Sequence, residues 1–405
     1  MKSVFSARNP LSTRLTRVCT CALLACMLPA CGPAGDGPPL AVERDSAGIT
    51  IVESLGPAWG DSARWRVDPE PLLDLAESGT GDPHNFYQVR DVKRLPDGGI
   101  VVVNRGSNEI RTFSADGSFV GAAGGHGEGP GEFTNLQQVE VVGDSLLARD
   151  IRSRVTLFGP DLQHIRTMQI DDDVTDVRYL GDGRLIVRAV THYPDVYGVI
   201  RPPEVLMSYD LEGVPLDSIG PTPGSEMYVA EMLSGPPLFG KESVLDTRDG
   251  RIFTGSSDEM QIEEIGASGE IVRVLRIPDY PLALTPNQVE EERQARLDIP
   301  LPQGVTSLPP PFVQAIEDMP SPEARPAYAD MLADPTGAVW LRPFLGQSER
   351  GGAERWVVLG ADGAWLGSVE IPADFRVTEV GVDEILGVWT SALDVQHPQV
   401  WRLRR

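Results

Sequence analysis

Lysine is nearly missing from this chain: 405 residues carry it only at Lys2, Lys93 and Lys241, and the formal net charge is −24. Nucleic acid and broad anionic-lipid surfaces need clustered positive charge, so neither fits as a principal partner. Cysteine is confined to Cys19, Cys21, Cys26 and Cys31. The chain beyond them can form no disulfide, thiolate zinc site or thiol nucleophile. The apolar run at residues 18–30 has 13 residues, too short to span a bilayer. A Gly-x-Ser-x-Gly elbow, His-Glu-x-x-His, a Walker A loop and an EF-hand loop are all lacking, which removes the usual signatures of hydrolase, metalloprotease, nucleotide and calcium chemistry. The glycine-rich run 124–131 does not have dinucleotide-fingerprint spacing and opens no helix, so it reads as a connector.

A targeting pattern comes first among the features that are present. Residues 1–17 hold Lys2, Arg8, Arg14 and Arg17 and no acid, and VCTCALLACMLPA follows. A positive stretch before an apolar one of this length is a secretory signal. Leu28-Pro29-Ala30-Cys31-Gly32 resembles the bacterial lipobox, in which the cysteine is lipidated and becomes the new N-terminus. Leu23-Leu24-Ala25-Cys26 also fits, but would leave an apolar region of only about eight residues; Cys31 is therefore the expected lipidation site. The expected division is a signal at 1–30, lipidated Cys31 with a Gly/Pro-rich flexible tether over 31–47, and a folded domain at 48–405. Loss of the four positive charges of the signal takes the net charge from −24 to −28. Gly32, not aspartate, follows the cysteine. By resemblance to lipoprotein sorting signals, this implies a cell-envelope protein held by its lipid at the outer membrane, on the periplasmic or surface side.

Gly 42 and Pro 35 among 405 residues, with many short β-rich runs, indicate an all-β chain full of tight turns. Residues 89–133 form the clearest unit: VRDVKRL, a Pro-Asp-Gly-Gly turn, IVVVN, a polar loop, EIRTFS, an Ala-Asp-Gly turn and SFVGAAG. Asp-Gly between alternating apolar runs is a strong hairpin signal. The pattern recurs over 136–170, 174–219 and 243–277, then from Ala327, and last from Val377 to the end. The two turns are 19 residues apart at Asp97 and Asp116, 17 at Asp144 and Asp161, and 19 at Asp249 and Ser268. Six four-stranded units predict a six-bladed β-propeller of antiparallel blades. The last unit has no fourth strand. PLLDLAESGTGDPHNF aligns with SFVGAAGGHGEGPGEF, so residues near 65–77 are expected to complete that blade and close the ring. Ring closure removes open sheet edges. Residues 48–54, GITIVES, are expected to flank the same blade.

One insertion, 278–328, interrupts the pattern. Thr285-Pro286 before NQVEEERQARL predicts a helix with Thr285 at the N-cap and an i,i+4 pair between Glu292 and Arg296. A Pro-rich stretch and a short helix over FVQAIEDM follow. The insertion joins a fourth strand to the next first strand, which places it on the face of the loops between strands two and three. A lid over that face is one reading and a packed decoration the other.

LPDGGIVVVN, the Asp-Gly turn before each fourth strand and the loop GGHGEGPGEF resemble NHL-repeat-like six-bladed propellers, in particular bacterial propeller lipoproteins. In the loop, glycines permit positive φ where one blade passes to the next, and Phe133 is expected to fill the space between blades. The resemblance implies the fold and no activity.

Candidate chemistry is sparse. His84 and His126 occupy equivalent connectors, and with His192 and His397 they are expected in loops on one face, a possible Ca or Zn site; solvated loop histidines are the plainer alternative. Asp171, Asp172 and Asp173 form an acidic connector that can offer oxygen ligands to Ca²⁺ or remain a solvated turn. Arg105, Arg152, Arg154, Arg201 and Arg350 fall in loops between second and third strands. They suit a small anionic ligand, because arginine offers a planar fork to carboxylate or phosphate. Their alternative is pairing with local acids, namely Asp150 with Arg152, Glu204 with Arg201 and Glu349 with Arg350. Trp340, Trp356, Trp365, Trp389 and Trp401 are expected in the core. The functional expectation is a non-enzymatic binding or scaffold module. It meets the membrane through its lipid anchor only and takes an unknown protein or a small anion. The alternative is a metal-dependent hydrolase or lyase resembling propeller lactonases or peptidylglycine amidating lyases, for which no motif carries over.

Overall fold

The computed structural model describes residues 40–405 apart from 61, 152, 171–172, 232, 267 and 302–306. The signal, Cys31, Arg152, Asp171 and Asp172 lie outside the described residues. Among those described, strands dominate, and two α-helices occur, α1 (Pro286–Leu297) and α2 (Pro310–Glu317).

Each repeat forms one antiparallel sheet. The first sheet runs Val89–Arg94, Ile100–Asn104, Glu109–Phe113, Phe119–Gly124, and the second starts at Leu136–Val142. The third to sixth start at Asp173–Tyr179, Ser243–Arg248, Asp330–Ala333 and Phe375–Val380. Sheets of this kind, laid side by side by their first strands, define a β-propeller. The turns obey the glycine requirement seen in the sequence: Gly98, Gly117, Gly213, Gly269 and Gly363 all take φ between 85 and 91°, where only glycine is unstrained. The tryptophan expectation is met most fully at Trp340 and Trp356, at 0% and 1% exposure, with each indole N–H donating to an acid, Asp334 at 2.8 Å and Glu354 at 2.9 Å.

Side chains of one first strand stitch the sheets to the backbone of the next. Asp91 accepts from the Val139 amide (3.3 Å), and Gln138 donates to the Val177 carbonyl (2.6 Å). Thr247 donates to the Tyr179 carbonyl (2.8 Å), Asp246 accepts from the Ala333 amide (2.7 Å), and Glu379 accepts from the Arg94 amide (2.7 Å). Phe133 is fully buried between the first and second sheets, its ring 6.0 Å from that of Phe158.

The N-terminal stretch crosses three sheets. Ala41–Ser46, expected within the flexible tether, is instead a strand paired with Ile49–Ser54 across Ala47 and Gly48, both at positive φ. Ile49–Ser54 does not flank the last sheet as expected. It pairs in parallel with Ile271–Arg276 of the fourth. The cause is burial: Val52, at 4% exposure, joins the cluster containing Leu275 and Val357, against the Gly363 turn of the fifth sheet. The Ala58 and Trp59 amides then donate to the Trp365 and Leu366 carbonyls (2.9 and 2.7 Å). Finally Arg66–Asp74 pairs antiparallel with Gln396–Arg404 of the sixth sheet.

The insertion carries both expected helices. Thr285 caps α1 in a capping box with Gln288, and Glu292 pairs with Arg296 at 3.3 Å. The 191–204 loop holds a short strand not read from the sequence, Gly198–Ile200, paired with Met227–Ala230. Tyr228, Phe239, Val289, Ile316 and Met319 form a satellite core beneath the helices.

Candidate functional site

The first strands leave two cavities, one at each of their ends. The larger, about 720 Å³, lies where these strands enter their Asp-Gly turns and is lined by Lys93, Glu140, Arg178, Asp246 and Glu379. Its charges satisfy one another. Lys93 Nζ lies 2.6 Å and Arg178 Nη1 3.3 Å from Glu140, and Arg178 also faces Asp176 (3.4 Å) and Asp246 (3.7 Å). Burial alone would push the Glu140 carboxyl up, but Lys93 and Arg178 outweigh it and hold it below the usual glutamate range. Burial pushes Asp246 and Glu379 up. These ion pairs link the blades and neutralise Lys93 and Arg178, while Arg248 on the same wall donates to the Ala333 carbonyl (3.1 Å).

The opposite cavity, about 550 Å³, opens where the first strands begin and is lined by Arg342, Arg350 and Arg376 together with Glu242, Glu354 and Asp374. Its arginines are differently placed. Arg342 Nε is buried with no hydrogen-bond partner. Among the described residues, no hydrogen bond or ion pair engages the side chains of Arg342 or Arg350. Arg376 donates to the Val89 and Arg90 carbonyls (2.7 and 2.9 Å), which bind its protons without cancelling its charge. Desolvation of its guanidinium lowers the pKa of Arg376 from its ordinary value; Asp91 opposes this and the like charge of Arg342 adds to it. Arg149 is likewise lowered, by burial first and then, against Asp176, by Arg178 and Arg188. Glu242 is raised by burial, against the pull of Arg342.

Of the described arginines singled out in the sequence, Arg350 alone lines this cavity. Arg154 is spent on the Glu128 and Glu132 carbonyls and Asp150 (3.2 Å). Arg201 is spent on the Gly224 carbonyl (2.6 Å) and Asp258 (2.7 Å). Arg105 is half-buried. The local acids choose other partners: Glu204 faces Arg188 at 3.3 Å and Glu349 faces Arg325 at 2.7 Å. Arg342 and Arg376 were not singled out because they sit in strands. A signal was available, since second strands contain SLLAR, RLIVR and VWLR, placing Arg149, Arg188 and Arg342 opposite Gln138, Asp176 and Asp330.

The histidines divide. His84 Nδ1 donates to the Leu75 carbonyl (2.7 Å) and its ring packs on Phe113, while His126 Nδ1 lies 3.4 Å from the Asn108 amide nitrogen. Among the described residues, one group of three potential metal ligands occurs, Asp74, Glu77 and His397, with ligand atoms within 4.8 Å. It contains neither His84 nor His126. His397 (3.0 Å), Gln399 (2.7 Å) and the Ala76 amide (2.9 Å) already occupy Asp74, which is the ordinary fate of a seam carboxylate.

The architecture is that of a β-propeller, and comparison with known proteins agrees. A family model described as a 6-bladed beta-propeller matches residues 79–190. The chain is similar in structure to a candidate exported protein of Bacteroides fragilis, at 13% identity and TM-score 0.51, over 87% of this chain and 99% of that one. It is also similar to a DUF4221-family member from Bacteroides vulgatus, at 10% identity and TM-score 0.51, over 84% and 99%. At these identities the likeness is one of fold. No curated protein matches the chain.

Proposed function

We propose that this chain is an exported lipoprotein, cleaved after residue 30 and anchored through Cys31 at the outer membrane, whose propeller is a non-enzymatic binding module for a small anion. In this reading the six sheets close into a ring, with Arg66–Asp74 as the outer strand of the last blade. The ligand enters at the end of the axis beside the helical insertion. The observation that carries the reading is the 550 Å³ cavity with Arg342 and Arg350 on its wall and Arg342 Nε unpartnered. Arg342 is half-buried and makes no ion pair among the described residues, with Glu242 acting on it only at longer range; a bound carboxylate gives its guanidinium fork a direct partner. Export is supported by the positive and apolar leader and the cysteine after Ala30.

Two measurements test it. Cells expressing the full chain should incorporate radiolabelled palmitate into it, and Cys31→Ala should abolish the label. Acetate should raise the melting temperature of residues 39–405, and Arg342→Ala should remove that rise. A melting temperature indifferent to acetate would discard the anion site. A second reading, a metal-dependent hydrolase or lyase, is favoured by the Asp74, Glu77 and His397 group. It requires about one equivalent of Ca²⁺ or Zn²⁺ in the dialysed protein, lost in His397→Ala.

A further inference from the structure

The arginine-lined cavity is not alone on its face. A second cavity, about 380 Å³, lies between the insertion and the segment after the fifth sheet's second strand, with Leu233, Pro237, Ile299, Ile316, Met319 and Phe344 on its walls. The two cavities share Glu242, Phe344, Leu345 and Arg350, so they adjoin. The polar side chains at the base of the second are already committed. Glu292, at 2% exposure, accepts from Arg296 (3.3 Å) and the Gln347 amide (2.6 Å). Arg296 also donates to the Pro236 and Pro237 carbonyls, each at 2.7 Å. The second cavity therefore offers a ligand chiefly apolar wall, while the first offers unpaired guanidinium groups.

From this juxtaposition we propose that the two cavities form one site for an amphipathic carboxylate, with an acyl chain against Ile299, Ile316, Met319 and Phe344 and its carboxylate on Arg342, Arg350 and Arg376. The inference rests on the anion-binding reading above and adds the chemical class of the ligand. Both volumes fall in the range of small-molecule sites, roughly 300–1,000 Å³. Charge selects the head group. Glu242, Glu354 and Asp374 face the same space as the three arginines, so a singly charged carboxylate is accommodated where a doubly charged phosphate meets repulsion. Apolar contact supplies affinity, and the arginine fork fixes orientation.

Isothermal titration of residues 39–405, which contain every described strand and core cluster, tests the inference with three probes: dodecanoate, dodecanol and acetate. Dodecanoate should bind at least tenfold more tightly than either of the others. Arg342→Ala with Arg376→Ala should weaken dodecanoate at least tenfold and leave dodecanol unchanged. Arg342→Lys keeps the charge without the fork, removes concern over folding, and should give a smaller loss. Ile299→Glu, at a position 39% exposed, should weaken dodecanoate and dodecanol and spare acetate. Acetate bound as tightly as dodecanoate, with dependence on Arg342, would overturn the amphipathic ligand and leave the anion site standing. Failure of both acids to bind would overturn both.

Discussion

Single residues on the inner strands decide how this molecule responds to pH. Glu140 is 8% exposed and held in the charged form by Lys93 and Arg178. Its lowered folded pKa contributes stability that is present above the ordinary glutamate value and lost as pH falls through the folded value. Glu140→Gln removes the nearest counter-charge of Lys93, which keeps only Asp91 at 4.0 Å, while Arg178 keeps Asp176 and Asp246; it should cost about 1.5–3 kcal/mol in urea unfolding at neutral pH, with the gap to the parent narrowing in acid. Glu379 is the opposite case. Burial raises it while the Arg94 amide still donates to it. Its favourable contribution is present in acid and lost as pH rises through the raised folded value. Glu379→Gln keeps an acceptor for that amide and should match the parent in mild acid and exceed it in melting temperature at mildly alkaline pH. Neither residue stood out in the sequence. An acid in VEVV or VTEV reads as the solvent face of an ordinary strand, and only the meeting of first strands from different sheets brings those positions to one cavity.

At the scale of elements, local signals and long-range ones had different legibility. Hairpins were legible because an Asp-Gly turn imposes its own φ, as Gly98 and Gly363 do at 87 and 85°. Helix α1 was legible from Thr285 and Pro286, whose capping chemistry lies within four residues. Thr285→Ala removes the oxygen that accepts from the Gln288 amide at 3.3 Å and should cost about 1 kcal/mol, read as faster hydrogen exchange over the first turn of α1. The position of Ile49–Ser54 was not legible. Nothing in ITIVES distinguishes a seat beside Ile271–Arg276 from one beside the last strand; the choice is made by Val52 finding Leu275, more than two hundred residues away. The candidate site split the same way. Loop arginines were the readable candidates, and of those described Arg350 lines the cavity. Two further arginines line it, Arg342 at a strand end and Arg376 within a strand, whereas Arg154 is taken up by the Glu128 and Glu132 carbonyls of the preceding connector.

For the whole molecule, the consequence is that stability is distributed along a chain that begins by binding its own last three sheets. Ala41–Ser46 and Ile49–Ser54 cover the outer edge of the fourth sheet, residues 58 and 59 bond to the outer strand of the fifth, and Arg66–Asp74 supplies the outer strand of the sixth. Progressive truncation should therefore give a graded result, then a sharp one. Residues 39–405 retain every one of these contacts and should melt as the full chain does. Residues 62–405 lose the hairpin and the bonds to Trp365 and Leu366, and with them the burial of Val52. Burying one such side chain is worth about 1.5–3 kcal/mol, so this form should stay folded with a lower melting temperature by circular dichroism. Residues 79–405 lose Arg66–Asp74 as well, which uncovers Gln396–Arg404 along its length and leaves His397 and Gln399 without Asp74. An open edge of that kind templates association, so this form should elute as aggregate in size-exclusion chromatography. A monomeric 79–405 with the parent's melting temperature would show that the seam between the first and last strands contributes nothing to the fold.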